Sequence, residues 1–142
     1  MRRVALLVAA LLLPAGQVDA QSTQERIEKG NTAFEEAFNA GDAQAAAQFY
    51  TDDAVALPPG GAPVKGKEAI IAYFQEVMDA GIEGLDLESL EVVESGDFAV
   101  EVGTFSWAPP GGDPETGSLL VVLQRGGDGL WRVHRVMWNQ DS

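Results

Sequence analysis

The sequence contains no cysteine, and it has only one histidine and nine basic residues among its 142. Without cysteine the chain can form no disulfide, no thiolate nucleophile, no cysteine-ligated zinc site and no lipid attachment through an N-terminal cysteine. The 22 acidic residues outnumber the basic ones and give a formal net charge of −13. Because nucleic-acid binding needs a basic patch, we expect no nucleic-acid partner.

Motifs for metals and cofactors are also missing from the sequence. One histidine, together with acidic residues scattered through predicted turns, gives no recognisable ligand set, and the segment 111–115 lacks the spacing of a calcium loop. The sequence has no phosphate-binding glycine loop, no nucleophile elbow and no nucleotide fingerprint. We therefore predict a protein that uses neither a metal nor a cofactor.

The first twenty residues have the three-part pattern of a secretory signal peptide. A basic start at Arg2 and Arg3 is followed by ten apolar residues, and small side chains precede a cleavage point after Ala20. A permanent membrane anchor is the weaker alternative, because ten apolar residues are too few to span a bilayer. We predict a signal peptide at 1–20 and a single domain at 21–142, exported to a periplasm or the medium without a membrane anchor.

The rest of the chain predicts helices first and strands afterwards. Apolar residues at helical spacing indicate helices at 24–40 and between Gly66 and Gly81, with a short helix at 43–50 between them. Turn clusters separate the strand-like segments, which are 54–57, 85–93, 98–107, 118–125 and 130–138. This order indicates an α+β protein with its helices on one face of a curved sheet, the last four strands forming an antiparallel meander.

Four short motifs stand in an order that resembles a known family. They are FNAGD at 38–42, FYTDDA at 49–54, GKEAI at 66–70, and DGLWRV at 128–133 followed by MWN at 137–139. Together they resemble the SnoaL-like, ketosteroid-isomerase-like proteins of the nuclear-transport-factor-2-like superfamily. The resemblance implies a cone-shaped, cystatin-like α+β fold, in which a curved, mainly antiparallel sheet wraps around a long helix and leaves an apolar pocket. It also implies dimers, which members often form through the outer face of the sheet.

The steroid isomerase mechanism of that superfamily does not carry over to this sequence. The position that matches the oxyanion-donating tyrosine is Phe34, and the position of the proton-shuttling aspartate is Pro58. SnoaL-like relatives often carry a further aspartate near the end of the chain, where this sequence has Val136. Because the base and the hydrogen-bond donor are both missing, enolisation of the known kind is disfavoured.

Glu101 and His134 are the candidate acid–base pair. Glu101 shares a strand face with small and aromatic residues such as Phe105, so a pocket could surround it and raise its pKa by desolvation. The alternatives are a solvent-facing glutamate and one at a dimer contact. His134 shares its strand parity with Val136 and Trp138 and would face the same pocket as a general base. A surface histidine or a packed structural one is the alternative.

Five aromatic residues are predicted to line the pocket: Phe34, Tyr50, Tyr73, Trp107 and Trp138. Tyr50 is expected at the end of the second helix, where its hydroxyl either reaches a ligand or is hydrated. The neighbouring Asp52 and Asp53 suit a turn. The last strand is apolar on both faces, which favours a homodimer through the outer face.

Three functions are compatible with these observations. The first is a non-catalytic module that binds a small apolar molecule in the pocket. The second is a cofactor-free acid–base enzyme of isomerase, hydrolase or lyase type, which uses Glu101 and His134 with Tyr50 as a donor. The third is an interaction protein whose pocket is filled by Trp107 and Trp138.

Overall fold

The computed structural model describes residues 21–142, so the predicted signal peptide at 1–20 lies outside the described residues. In chain order the elements are α1 (Thr23–Asn39), α2 (Ala43–Ala47), β1 (Tyr50–Leu57), β2 (Val64–Lys65), α3 (Lys67–Asp79), β3 (Glu83–Ser95), β4 (Phe98–Ala108), β5 (Glu115–Arg125) and β6 (Trp131–Gln140). Within 21–142, none of the helices has the length and apolar character needed to cross a membrane.

The strands form one open, mixed sheet in the order β2-β1-β6-β5-β4-β3. The antiparallel meander of β3 to β6 confirms the prediction, whereas β1, which was predicted as a short strand at 54–57, runs parallel to β6 and extends the sheet beyond the meander. Tyr50 begins β1 instead of ending α2, and Asp52 and Asp53 lie in the strand instead of a turn. Pairing with β6, where the Val133 amide donates to the Phe49 carbonyl at 2.8 Å, overrides the local turn preference.

Polar side chains fix α1 to the edge strand β3. The helix begins with a reciprocal capping box between Ser22 and Glu25. Further along, the Leu87 amide donates to Glu35 Oε1 at 2.7 Å, and the Asn39 side chain exchanges two hydrogen bonds with the Leu85 backbone. These side chains reach the backbone of β3 because an edge strand leaves backbone groups free for them.

A β-bulge in β6 reverses the alternation of its side chains. Val122 pairs with Arg135 and Leu123 with Val133, which leaves His134 as the extra residue. The side chains on both sides of the bulge that face the helices are Trp131, Val133, Val136 and Trp138. The prediction that His134 shares a face with Val136 and Trp138 was therefore wrong, since one inserted residue moves all later side chains to the other face.

Candidate ligand-binding cavity

A cavity of about 120 Å³ lies between α1, α3 and the inner face of the sheet. Cavities of about this size admit a single benzene-sized ring. Every aromatic residue of the chain except Phe98 lines it. The structure places all five sequence-predicted lining residues at this cavity: Phe34, Tyr50, Tyr73, Trp107 and Trp138. Their contact with a ligand stays a prediction.

Phe34 of α1 is the centre of the aromatic wall. Its ring centroid lies 5.6–6.2 Å from those of Phe38, Phe49, Tyr50 and Phe74. The tilted and edge-to-face angles between these rings are the preferred aromatic geometries. Burial, with a smaller contribution from Tyr73, raises the pKa of the Tyr50 hydroxyl. The Tyr50 hydroxyl therefore stays protonated.

Glu101 of β4 supplies a carboxyl group to this apolar wall. It is 2% exposed and is the one buried charged residue among residues 21–142. The Asn31 amide of α1 donates to Glu101 Oε1 at 2.7 Å. Burial raises the pKa of the Glu101 carboxyl, while the hydrogen bond from Asn31 lowers it and the nearby Glu28 carboxylate adds to the rise. The result is a desolvated carboxyl group without a positively charged partner in the part of the chain that the structure describes.

Two further polar atoms near this wall are buried without a partner. Among the residues that the structure covers, the indole nitrogen of Trp131 and the hydroxyl oxygen of Ser89 make no hydrogen bond. A buried donor or acceptor left unpaired costs about 1–3 kcal/mol. Trp131 is also one of the residues that line the cavity.

The cavity opens to solvent beside the N-terminal half of α1. Arg26 and Glu88 line the cavity and are both exposed, which places them at its mouth. Gly30 lies one helical turn after Arg26, and an added Cβ there would meet nothing within 4 Å. The Gly30 position beside the cavity is therefore free of close neighbours.

His134 does not line the cavity. Its Nδ1 atom lies 3.1 Å from Thr51 Oγ1 and 3.5 Å from Asp53 Oδ1. Its ring packs beside Phe98, the one aromatic residue that is absent from the cavity wall. The predicted pairing of His134 with Glu101 in one pocket is therefore wrong, and the bulge at His134 is the physical reason.

Comparison with known proteins identifies the family. The family model described as "SnoaL-like domain" matches residues 31–134. This chain belongs to the SnoaL-like domain family. A search of the curated proteins finds no match to it.

Solved structures support the same fold for this SnoaL-like domain. A ketosteroid isomerase-like protein from Erwinia carotovora atroseptica SCRI1043 is 27% identical with a TM-score of 0.71, over 82% of this chain and 94% of that one. A domain with a cystatin-like fold from Nostoc punctiforme PCC 73102 is 20% identical with a TM-score of 0.74, over 86% and 80%. A nuclear-transport-factor-2-like protein from Novosphingobium aromaticivorans is 22% identical with a TM-score of 0.70, over 81% and 79%. The fold is therefore the cystatin-like, nuclear-transport-factor-2-like one.

Asn31 is the residue of this site that sequence reasoning missed. It belongs to a polar stripe on α1 in which Asn31, Glu35 and Asn39 follow one another at helical spacing. All three side chains hydrogen-bond to the sheet, to β4 or β3. The signal in the sequence was the regular spacing of these residues beside the aromatic stripe of Phe34 and Phe38.

Between residues 21 and 142, no group of three or more histidine, aspartate or glutamate side chains is arranged to hold a metal ion.

Proposed function

We propose that this SnoaL-like domain binds a small, largely apolar molecule in its aromatic cavity. The main observation that supports this proposal is an open cavity of about 120 Å³ whose wall is aromatic and contains one buried carboxyl group, that of Glu101. Small-molecule sites combine an apolar wall with a few polar groups that fix orientation. Trp107 and Trp138 line this cavity without filling it, which favours this function over that of a filled interaction module.

Intrinsic fluorescence provides a direct assay, because all three tryptophans of the chain line the cavity. We expect toluene to cause a saturable change in tryptophan emission. Val121→Phe fills the cavity from β5 and should weaken binding about tenfold or more, while Val122→Phe on the opposite strand face should leave it unchanged. Circular dichroism confirms that both variants are folded. Absence of saturable binding to wild type, or equal binding to Val121→Phe, would refute the proposal.

Acid–base catalysis by Glu101 is the second candidate function. It is supported by burial, which raises the pKa of this carboxyl towards the range of general acids and bases. Because His134 lies outside the cavity, Glu101 would act with Tyr50 as the hydrogen-bond donor. Hydrogen–deuterium exchange at the α-carbon of cyclopentanone, followed by NMR, tests this candidate. Exchange no faster than buffer, or equally fast with Glu101→Gln, would exclude it for this substrate.

A homodimer is proposed from the outer face of the sheet. The helices cover only the inner face, and β4, β5 and β6 expose large apolar residues on the other: Phe98, Val100, Val102, Leu120 and Met137. Val102 pairs with Leu120, which pairs with Met137, so this outer patch is continuous across three strands. β6 contributes fewer side chains to this outer patch than predicted, because its other large apolar side chains face inward. Such a patch is typical of a protein interface.

Light scattering tests the dimer. We expect the mass of two chains for wild type and of one chain for Val102→Glu. Leu130→Glu changes an apolar residue that is exposed outside the outer patch and should keep the dimer mass. A wild-type mass of one chain at micromolar concentration would refute the proposal.

Export is proposed from the sequence pattern of residues 1–20. Expression of the full chain in a bacterium should yield a periplasmic or extracellular product that begins at Gln21, which N-terminal sequencing and mass spectrometry would detect. A cytoplasmic product that retains residues 1–20 would contradict the proposal.

A further inference from the structure

We propose that the cavity recognises a lipophilic amine of about one ring, whose ammonium group pairs with the carboxylate of Glu101. This inference rests on the proposed function, since it names the class of ligand for the same cavity. It commits to a cation, whereas the proposed function requires only a small, largely apolar molecule.

The first argument is the missing counter-charge at Glu101. Of the described residues that line the cavity, only Arg26 is basic, and it lies exposed at the mouth. Within the described residues Glu101 has no ion pair, and its one hydrogen bond comes from the neutral amide of Asn31 to Oε1. A buried carboxylate is stable only when it is paired and hydrogen-bonded. An ammonium group of a ligand supplies the partner that the chain does not.

The aromatic wall provides the second argument. Tyrosine, tryptophan and phenylalanine faces carry negative electrostatic potential and attract organic cations. The cavity is lined by all of these ring types. A net charge of −13 also draws cations towards the protein from solution. Aromatic rings and a carboxylate together favour an amine over an anionic ligand.

Cavity size limits the apolar part of the ligand. A volume of about 120 Å³ suits one benzene-sized ring bearing a short amine substituent. Benzylamine is therefore the probe that matches the site in size and charge. Benzyl alcohol and toluene match its size without its charge.

The experiment must distinguish recognition of an amine by Glu101 from a purely structural role of this residue. Asn31 belongs to the same polar stripe as Glu35 and Asn39, which fix α1 to the sheet. Glu35 and Asn39 reach backbone groups of the edge strand, whereas Glu101 lies on an interior strand and lines the cavity. Glu101→Gln retains a carbonyl oxygen that accepts the Asn31 hydrogen bond and removes only the charge.

The experiment titrates benzylamine, benzyl alcohol and toluene into wild type, Glu101→Gln and Glu91→Gln at pH 7 by tryptophan fluorescence and calorimetry. We expect wild type to bind benzylamine about tenfold or more tightly than benzyl alcohol. Glu101→Gln should lose this preference while binding benzyl alcohol within about threefold of wild type. Glu91→Gln removes an exposed carboxylate of β3 that does not line the cavity and should retain the preference.

Each outcome separates this inference from the proposed function. If benzyl alcohol or toluene binds as tightly as benzylamine, the amine inference fails and the proposed function stands. The inference also fails if Glu101→Gln keeps the wild-type preference, because a structural role then accounts for the residue. If none of the three probes binds, the proposed function itself fails.

Discussion

Replacing Gly30 by alanine should stabilise the domain. Gly30 lies within the 17-residue helix α1, where glycine is less favourable than alanine by about 1 kcal/mol. An added Cβ at this position meets no atom within 4 Å, so no clash reduces the gain. For a domain of this size, about 1 kcal/mol corresponds to a rise in Tm of roughly 3–5 °C.

Thermal and urea unfolding measure the gain, and Thr32→Ala is the matched control. Thr32 is exposed on the same helix and does not line the cavity. Helix propensity predicts a smaller stabilisation for Thr32→Ala, at most about 0.7 kcal/mol. A Gly30→Ala variant that is no more stable than wild type would refute the view that the position is helical and unobstructed.

The same position tests where ligands enter. Gly30→Leu retains good helix propensity but places four carbon atoms at the mouth, so toluene should bind several-fold more slowly in stopped-flow fluorescence. Thr32→Leu, on the helix surface away from the cavity, should leave the rate unchanged. If Gly30→Leu binds toluene at the wild-type rate, the route into the cavity lies elsewhere.

Three further predictions concern single positions. Glu101→Gln should stabilise the ligand-free domain at pH 7 by removing a buried charge. Because the folded-state pKa of Glu101 is raised, the native carboxyl is most stable when protonated, so the stability advantage of Glu101→Gln in urea unfolding should shrink as the pH falls towards 4.5. A stability advantage that grows on acidification would contradict this prediction. Gly117→Ala should destabilise by about 2 kcal/mol or more in urea, because its Cβ would overlap the Asn139 carbonyl oxygen; wild-type stability would contradict this. Arg132 lowers the pKa of the Asp128 carboxyl to about 2, so NMR titration of Arg132→Gln should show it rising towards 3.8, and an unchanged value would exclude Arg132 as the cause.

Regular patterns in the sequence predicted most of the fold. The apolar stripe through Phe34 and Phe38 identified α1, and the turn clusters identified the hairpins of the β3–β6 meander. β1 was predicted too short because Asp52 and Asp53 have strong local turn preferences. Its pairing with β6 joins residues eighty or more positions apart, and no local pattern reports such a contact.

The candidate site was predicted where side-chain alternation is regular and missed where it is not. Glu101 lies in an unbroken stretch of β4, so its face followed directly from its parity with Phe105. His134 is itself the extra residue of a bulge, and a bulge leaves no local mark in a sequence of mixed apolar and charged residues. Parity therefore gave the right face for Glu101 and the wrong one for His134.

The features of the cavity that reduce stability all occur in the same place. An unpaired buried carboxyl, an unpartnered indole N–H group and an unfilled volume each make the ligand-free domain less stable than a close-packed apolar core would. Gly30 lowers the stability further, because it lies within the helix at the mouth of the cavity. A purely structural role for this interior would require none of these features, whereas a bound ligand would fill the volume and pair the polar groups. Gly30→Ala and Glu101→Gln are therefore both predicted to raise stability, and changes at the same two positions are predicted to impair ligand entry or recognition. Both predictions follow from one cause, which is that the interior is arranged to hold another molecule.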